Sequence, residues 1–125
     1  MREAERLVIG KVDEVFELGM ALDFADAVRR EAIANRFDVL VDMRDCQHAI
    51  SLNGLHSLPE LMLKSADPWE LQALIPHLVP AQVLEKFASY EQVTNRAGYR
   101  MKFFVDEAEA MQWLADQRVL RDGPT

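Results

Sequence analysis

Apolar and polar residues alternate most regularly near the end of the chain, over residues 99–105. A period of two with aromatic side chains on one face predicts a β-strand. Phe104 breaks the alternation, so we expect either Phe103 or Phe104 to face helices on the far side of a sheet. The alternating apolar positions are Tyr99, Met101, Phe103 and Val105.

A helix is predicted directly after this strand. Asp106 lies at the N-cap position and Glu109 at the third helical position, which is the spacing of a capping box. The apolar residues that follow have helical spacing, and we expect them to pack back on the strand, with Trp113 in the core. They are Ala110, Met111, Trp113 and Leu114.

The sequence is compatible with two starting points for the first helix. From Asp13 to Ala32, apolar residues recur at three- and four-residue steps, which favours one long helix. Gly19 within this run costs about 1 kcal/mol relative to alanine. An alternative therefore stays open, in which residues 15–18 form a strand and the helix starts after Asp23.

Three other segments predict strands. Residues 6–10 form a short strand that Gly10 breaks. Residues 37–43 form the central strand, because their nearly continuous apolar run is typical of a strand covered on both faces. Residues 71–75 form a short buried strand after a turn at residues 67–68.

Two more helices lie between these strands. A loop over residues 44–50 precedes Ser51, which is expected to cap a helix that runs towards Leu63. Pro80 opens another helix, and Gly98 ends it as a C-terminal cap. The apolar face of that helix consists of Val83, Phe87, Tyr90 and Val93.

The alternation of strands and helices predicts the fold class. We expect one α/β domain over residues 1–125, with a four- to five-stranded mixed, mostly parallel sheet packed against about four helices. The pattern leaves open whether helices cover one face of the sheet or both.

Composition narrows the functional classes. The net charge of −7 argues against a nucleic-acid binder or a binder of anionic membranes, and Arg29 and Arg30 are expected on a solvated helix face. No apolar run approaches the roughly 20 residues that span a bilayer, and no signal peptide is recognised. The single cysteine, Cys46, fits a reducing compartment, so we expect a cytoplasmic protein.

The loop after the central strand contains residues that ligate metals or act as nucleophiles. Asp45, Cys46 and His48 lie close together, and His56 follows. A zinc site needs three or four ligands at fixed distances, and a cysteine nucleophile needs a base and an orienting group. We therefore expect a partly buried thiol and a surface imidazole, with no metal, no cofactor and no catalytic residue.

Three segments resemble STAS domains, the fold of bacterial anti-anti-sigma factors and of sulfate-transporter tails. They are G-K-V-D at residues 10–13, V-L-V-D-M-R-D at residues 39–45 and Y-R-M-K-F-F-V-D-E-A-E-A-M-Q-W-L at residues 99–114. The chain is most similar to the single-domain bacterial branch that is likened to the CRAL-TRIO lipid-transfer fold. The resemblance implies a STAS-like sheet and a non-enzymatic regulatory role.

One departure from the family changes the expected regulation. Phosphoregulated members carry Asp-Ser-Ser-Gly-Leu after the central strand, whereas residues 51–55 here are S-L-N-G-L. Leu52 stands at the phosphorylated position, and Ser51 stands where the aspartate would be. We therefore expect the serine switch to be absent.

The candidate interaction surface lies at the carboxyl end of the central strand, where α/β sheets usually bind ligands. Amides at the next helix N-terminus are a further site for an anion, although a plain N-cap explains Ser51 equally well. A structural role for Asp42 and Arg44, in the loop and in an ion pair, is the simpler alternative. The surface comprises Asp42, Arg44, Asp45, Ser51, Asn53 and Gly54.

Two functions follow from these observations. The first is a STAS-like regulatory or protein-interaction module, working as a homodimer with an unidentified protein partner through residues 42–55. The second is a carrier of a small apolar or lipid-like ligand, held beneath the helices at residues 52–63 and 81–93. A minor third alternative is a hydrolase that uses Cys46 or Ser51.

Overall fold

The computed structural model describes residues 5–13, 15–48, 54, 56–57 and 67–123. Its main sheet has four parallel strands in the order β1-β3-β5-β6. These are β1 (Leu7–Lys11), β3 (Asp38–Asp42), β5 (Leu74–Leu78) and β6 (Arg100–Phe104). A separate parallel pair joins β2 (Val15–Phe16) to β4 (Gln47–His48).

Four helices whose bounds lie within the described residues accompany the strands. They are α1 (Leu18–Asn35), α2 (Trp69–Gln72), α3 (Leu84–Arg96) and α4 (Glu107–Asp122), and a 3₁₀ turn (Ala81–Val83) leads into α3. The α/β class and the parallel sheet are thereby confirmed. The sheet was predicted to be mixed, but every strand pair among the described residues is parallel.

Helices cover both faces of the sheet. The four strands of the main sheet lie side by side in the order in which they occur along the chain. Because crossovers between parallel strands have the same right-handed sense, the helices that connect these strands lie on the same side of the sheet. α1 and α3 cover that side, which we call the α1/α3 face, whereas α4 is not a crossover and covers the opposite α4 face. Alternate residues of β3 divide accordingly, with Val39 and Val41 on the α1/α3 face and Leu40 on the α4 face.

Gly10 does not break the first strand, contrary to the prediction, because β1 continues through it to Lys11. A Cβ atom at this position would lie 2.6 Å from Cζ of Phe24 and 2.9 Å from Cγ1 of Val28. Glycine is therefore needed here for the close approach of α1 to the sheet.

Neither predicted beginning of α1 is correct. Residues 15–16 form a short strand, as in the alternative, but the helix starts at Leu18 rather than after Asp23. The Glu17 carboxylate caps it by accepting hydrogen bonds from the backbone N–H groups of Met20 and Gly19, at 2.8 and 3.3 Å. Gly19 therefore lies in the capped first turn and not in the helix interior.

The third strand of the sheet, β5, starts three residues later than predicted. Leu71 belongs to the short helix α2 and is 46% exposed, whereas the strand runs from Leu74 through Pro76. Proline usually argues against an inner strand. Here it precedes His77 and Leu78, the two residues through which β5 pairs with β3.

The closing strand and helix are confirmed. Asp106 caps α4, because its carboxylate accepts the backbone N–H of Ala108 at 2.8 Å. Phe103 lies on the α1/α3 face, and Phe104 packs on the partly buried ring of Trp113 on the α4 face, with centroids 5.9 Å apart. No helix in the described part of the chain is long and apolar enough to cross a membrane.

Candidate functional site

The charged residues predicted at the carboxyl end of β3 bind one another. The Asp42 carboxylate accepts three hydrogen bonds from Arg44, from its backbone N–H at 3.1 Å, Nε at 3.0 Å and Nη2 at 2.9 Å. The hydrogen bonds from the Arg44 side chain lower the pKa of Asp42. Asp45 pairs with Lys11 at 3.3 Å, and Arg44 also approaches Glu107 at 3.5 Å. This arrangement is the structural role weighed above for Asp42 and Arg44.

The second half of the predicted surface is described only in part. Ser51 and Asn53 lie outside the described residues, and Gly54 lies at a helical position, where its carbonyl accepts the Ser57 hydroxyl at 2.8 Å. Nε2 of His56 lies 2.8 Å from Oγ of Ser89, which brings this segment against α3.

The candidate nucleophile Cys46 is buried, and the side chain of His48 lies outside the described part of the structure. The Cys46 side chain is buried, and its Sγ donates to the carbonyl of Met43 at 3.3 Å. Burial raises the pKa of this thiol, which disfavours the reactive thiolate. In the described ranges, no three histidine, cysteine, aspartate or glutamate side chains converge as a metal site.

A cavity of about 90 Å³ lies on the α1/α3 face, between α1, α2, α3 and the sheet. Its walls are mainly apolar. Phe24 and Val28 of α1 form one side, Phe87 of α3 contributes another, and Val39 and Val41 of β3 contribute to the sheet side. Ligand sites typically combine such walls with a few placed polar groups.

One polar cluster at this cavity is internally paired. The Glu70 carboxylate, from α2, accepts hydrogen bonds from Nη1 of Arg29 at 2.9 Å and from the Tyr99 hydroxyl at 3.2 Å. Arg29 also binds Asp26 at 2.9 Å, and its side chain is only 16% exposed. Arg29 is therefore not on a solvated face as predicted. Its charge is balanced by two carboxylates, as a buried charge requires.

His77 is the second polar feature of the cavity. Its Nδ1 lies 3.0 Å from the carbonyl oxygen of Ile75, and its ring packs on Phe103 with centroids 4.5 Å apart. Burial lowers the pKa of His77 to about 4, so the ring is neutral at pH 7. A carbonyl only accepts hydrogen bonds, so Nδ1 carries the proton and Nε2 has a free lone pair.

Tyr90 of α3 is the third polar feature. Only 6% of the residue is exposed, and its ring lies 5.8 Å from that of Phe103. Burial raises the pKa of its hydroxyl, so it stays protonated. In the part of the chain that the structure describes, neither this hydroxyl nor Nε2 of His77 makes a hydrogen bond.

The pattern of apolar and polar residues contains little indication of these polar groups. Glu70 lies in a four-residue helix, which is too short to show a period. His77 was missed because the strand that contains it was placed too early, although a histidine between Pro76 and Leu78 in an apolar run was the available signal. Tyr90 was predicted on the apolar face of its helix and Tyr99 at an apolar position of its strand, and both residues are buried.

No protein family, curated protein or solved structure matches this chain. The resemblance to STAS domains therefore stays a prediction that depends on three sequence segments. The function has to be inferred from the geometry of the cavity and of the charged surface.

Proposed function

We propose that this chain is a non-enzymatic, STAS-like binding module whose cavity on the α1/α3 face takes a small apolar molecule. The observation that carries the proposal is the cavity itself, with apolar walls and a few buried polar groups. Its volume of about 90 Å³, against about 150 Å³ for an apolar cavity that holds benzene, limits the ligand to a small molecule of at most about one ring.

Energetics support an occupant. Protein interiors are close-packed, and unfilled cavity volume destabilises by about 24 cal/mol per Å³. A cavity of this size therefore costs about 2 kcal/mol when it is empty, which is a sizeable part of a typical domain stability of about 5–15 kcal/mol. A ligand that fills it recovers contacts that the protein alone lacks.

The proposal omits catalysis for a chemical reason. Serine, threonine and cysteine are absent from the described residues that line the cavity, and Cys46 is bonded to a backbone carbonyl elsewhere. The carboxylate of Glu70 already accepts hydrogen bonds from Arg29 and Tyr99. This set of groups favours holding a molecule over transforming it.

The regulatory, protein-binding function that was considered first stays a hypothesis. Its charged residues Asp42, Arg44 and Asp45 pair with groups of this chain, so they are satisfied without a partner. At the outer strand β6, the Asn95 side chain accepts the backbone N–H of Met101 at 3.3 Å, which reduces the edge available to an added strand. These contacts favour the ligand-binding function over the protein-binding function.

The test uses toluene as the probe and a cavity-filling variant. Ala25 of α1 lines the cavity, so Ala25→Leu should occupy part of the volume, whereas Ala27 of the same helix is exposed. We expect toluene to raise the melting temperature of the wild type and of Ala27→Leu by several degrees. Ala25→Leu should show little or no rise.

An equal rise in Ala25→Leu, or no rise in the wild type at saturating toluene, would contradict the proposal. Native mass spectrometry of freshly purified protein adds an independent measurement, because a bound small molecule would appear as a defined mass increment.

A further inference from the structure

Two polar side-chain atoms of residues that line the cavity make no hydrogen bond in the described part of the chain, and they differ in chemistry. Nε2 of His77 is an acceptor, because the proton of this neutral ring lies on Nδ1, which donates to the carbonyl of Ile75. The Tyr90 hydroxyl is a protonated phenol and therefore a donor. A ligand that enters the cavity displaces solvent from such an atom, so a ligand group that forms a hydrogen bond with it binds better than an apolar group of the same shape.

The two side chains lie in the same part of the cavity. Both rings pack on Phe103, with centroid distances of 4.5 Å for His77 and 5.8 Å for Tyr90. Phe87 stacks on the same ring at 5.1 Å, so an aromatic wall adjoins the two polar atoms. Both side chains line the same cavity and share Phe103 as a ring neighbour, which is why we assign them to one polar group of the ligand.

The remaining polar groups exclude an ionic ligand. Arg29 is balanced by Glu70 and Asp26, and the Tyr99 hydroxyl is already donated to Glu70. Neutral His77 has no charge to offer a carboxylate, and an unpaired ammonium would need an anion that this part of the cavity does not present. A hydroxyl is the single-atom group that donates one hydrogen bond and accepts another.

We propose that the ligand is a small neutral alcohol or phenol, whose hydroxyl donates to Nε2 of His77 and accepts from the hydroxyl of Tyr90. This inference rests on the binding function proposed above. It adds the chemical class of the ligand and the two residues that select it.

The experiment compares phenol with toluene, which replaces the hydroxyl by a methyl group of similar size. Calorimetric titration gives the ratio of the two dissociation constants in the wild type, in Tyr90→Phe and in His77→Phe. We expect the preference for phenol to fall about tenfold in each variant, the equivalent of one hydrogen bond. Ala27→Leu is the control, because this residue is exposed on α1, and the ratio should not change.

The outcomes separate this inference from the function on which it rests. If toluene binds but the ratio is the same in all four proteins, the hydroxyl assignment is wrong and the apolar site remains. If neither probe binds the wild type, both proposals are wrong. The same comparison of cyclohexanol with methylcyclohexane shows whether the cavity prefers an aliphatic alcohol or a phenol.

A measurement on the unmodified protein keeps the inference testable if a variant fails to fold. The nitrogen chemical shift of a histidine lone-pair site moves when that site accepts a hydrogen bond. We expect phenol, but not toluene, to move the Nε2 signal of His77. An unchanged Nε2 signal at saturating phenol would overturn the assignment.

Discussion

The α4 face of the sheet is filled and its charged groups are paired, whereas the α1/α3 face contains a cavity whose lining includes polar side-chain atoms that make no hydrogen bond in the described chain. On the α4 face, Leu7, Leu74 and Leu78 are completely buried beneath Ala110 and Leu114 of α4. On the opposite face, the apolar cluster surrounds about 90 Å³ of cavity. Both faces belong to the same strands, so the difference comes from what covers them.

The polar groups on the two faces of the sheet show the same contrast. Asp38, at the start of β3, is 1% exposed, yet its carboxylate binds Arg118 at 2.7 Å, Arg121 at 2.6 Å and the backbone N–H of Leu74 at 2.8 Å. Nε2 of His77 and the Tyr90 hydroxyl make no such contacts in the described chain. We conclude that the α4 face serves stability, and this contrast is the reason why binding is proposed for the α1/α3 face.

The largest expected effect tests the ion cluster that ties α4 to the sheet. Asp38→Asn keeps the shape of the side chain but removes its charge, leaving Arg118 and the buried Arg121 with less compensation. We expect the free energy of unfolding, measured by chemical denaturation, to fall by about 4 kcal/mol. Asp45→Asn is the control, because its pair with Lys11 is exposed, and it should change by less than about 1 kcal/mol.

A second variant tests the packing of the α4 face. Leu114 is 1% exposed, so Leu114→Ala should lower the free energy of unfolding by about 3 kcal/mol. Leu120→Ala is the same substitution on the same helix at a residue that is 77% exposed, and its effect should stay below about 0.5 kcal/mol. Similar losses from the two variants would show that α4 does not bury the face described here.

The smallest expected effect is the pH dependence of stability that His77 contributes on the α1/α3 face. The pKa of His77 is about 4 in the folded protein, against an ordinary value of 6.5, so between these values the unfolded state binds more protons. Stability should therefore fall as pH decreases from 6.5 to 4, by at most about 1.4 kcal/mol per pH unit from this residue.

His77→Phe removes this contribution, while the other histidines and the acidic residues stay the same. Denaturation curves of the two proteins at pH 7, 6 and 5 should show a shallower pH dependence for the variant. Parallel dependences would indicate that His77 is solvated in the folded state.

Sequence patterns predicted the elements that have a clear period and failed where the decisive cause lies in tertiary contacts. The closing strand and α4 were recognised because alternation, cap and apolar stripe agree. The prediction that Gly10 breaks a strand is wrong, because the close approach of Phe24 to this position is not visible in the sequence. The cavity was not predicted in detail, since Glu70, His77 and Tyr90 come together only through the crossover connections.

The most direct test of the account is methyl NMR of the wild-type protein titrated with phenol. Adjacent residues of β3 supply an internal comparison, because Val39 and Val41 face the cavity whereas Leu40 faces α4. We expect the methyl signals of the two valines to shift on binding while those of Leu40 and Leu114 stay in place. Shifts centred on Leu40 and Leu114, or none at saturating phenol, would contradict the claim that the α1/α3 face is the binding face.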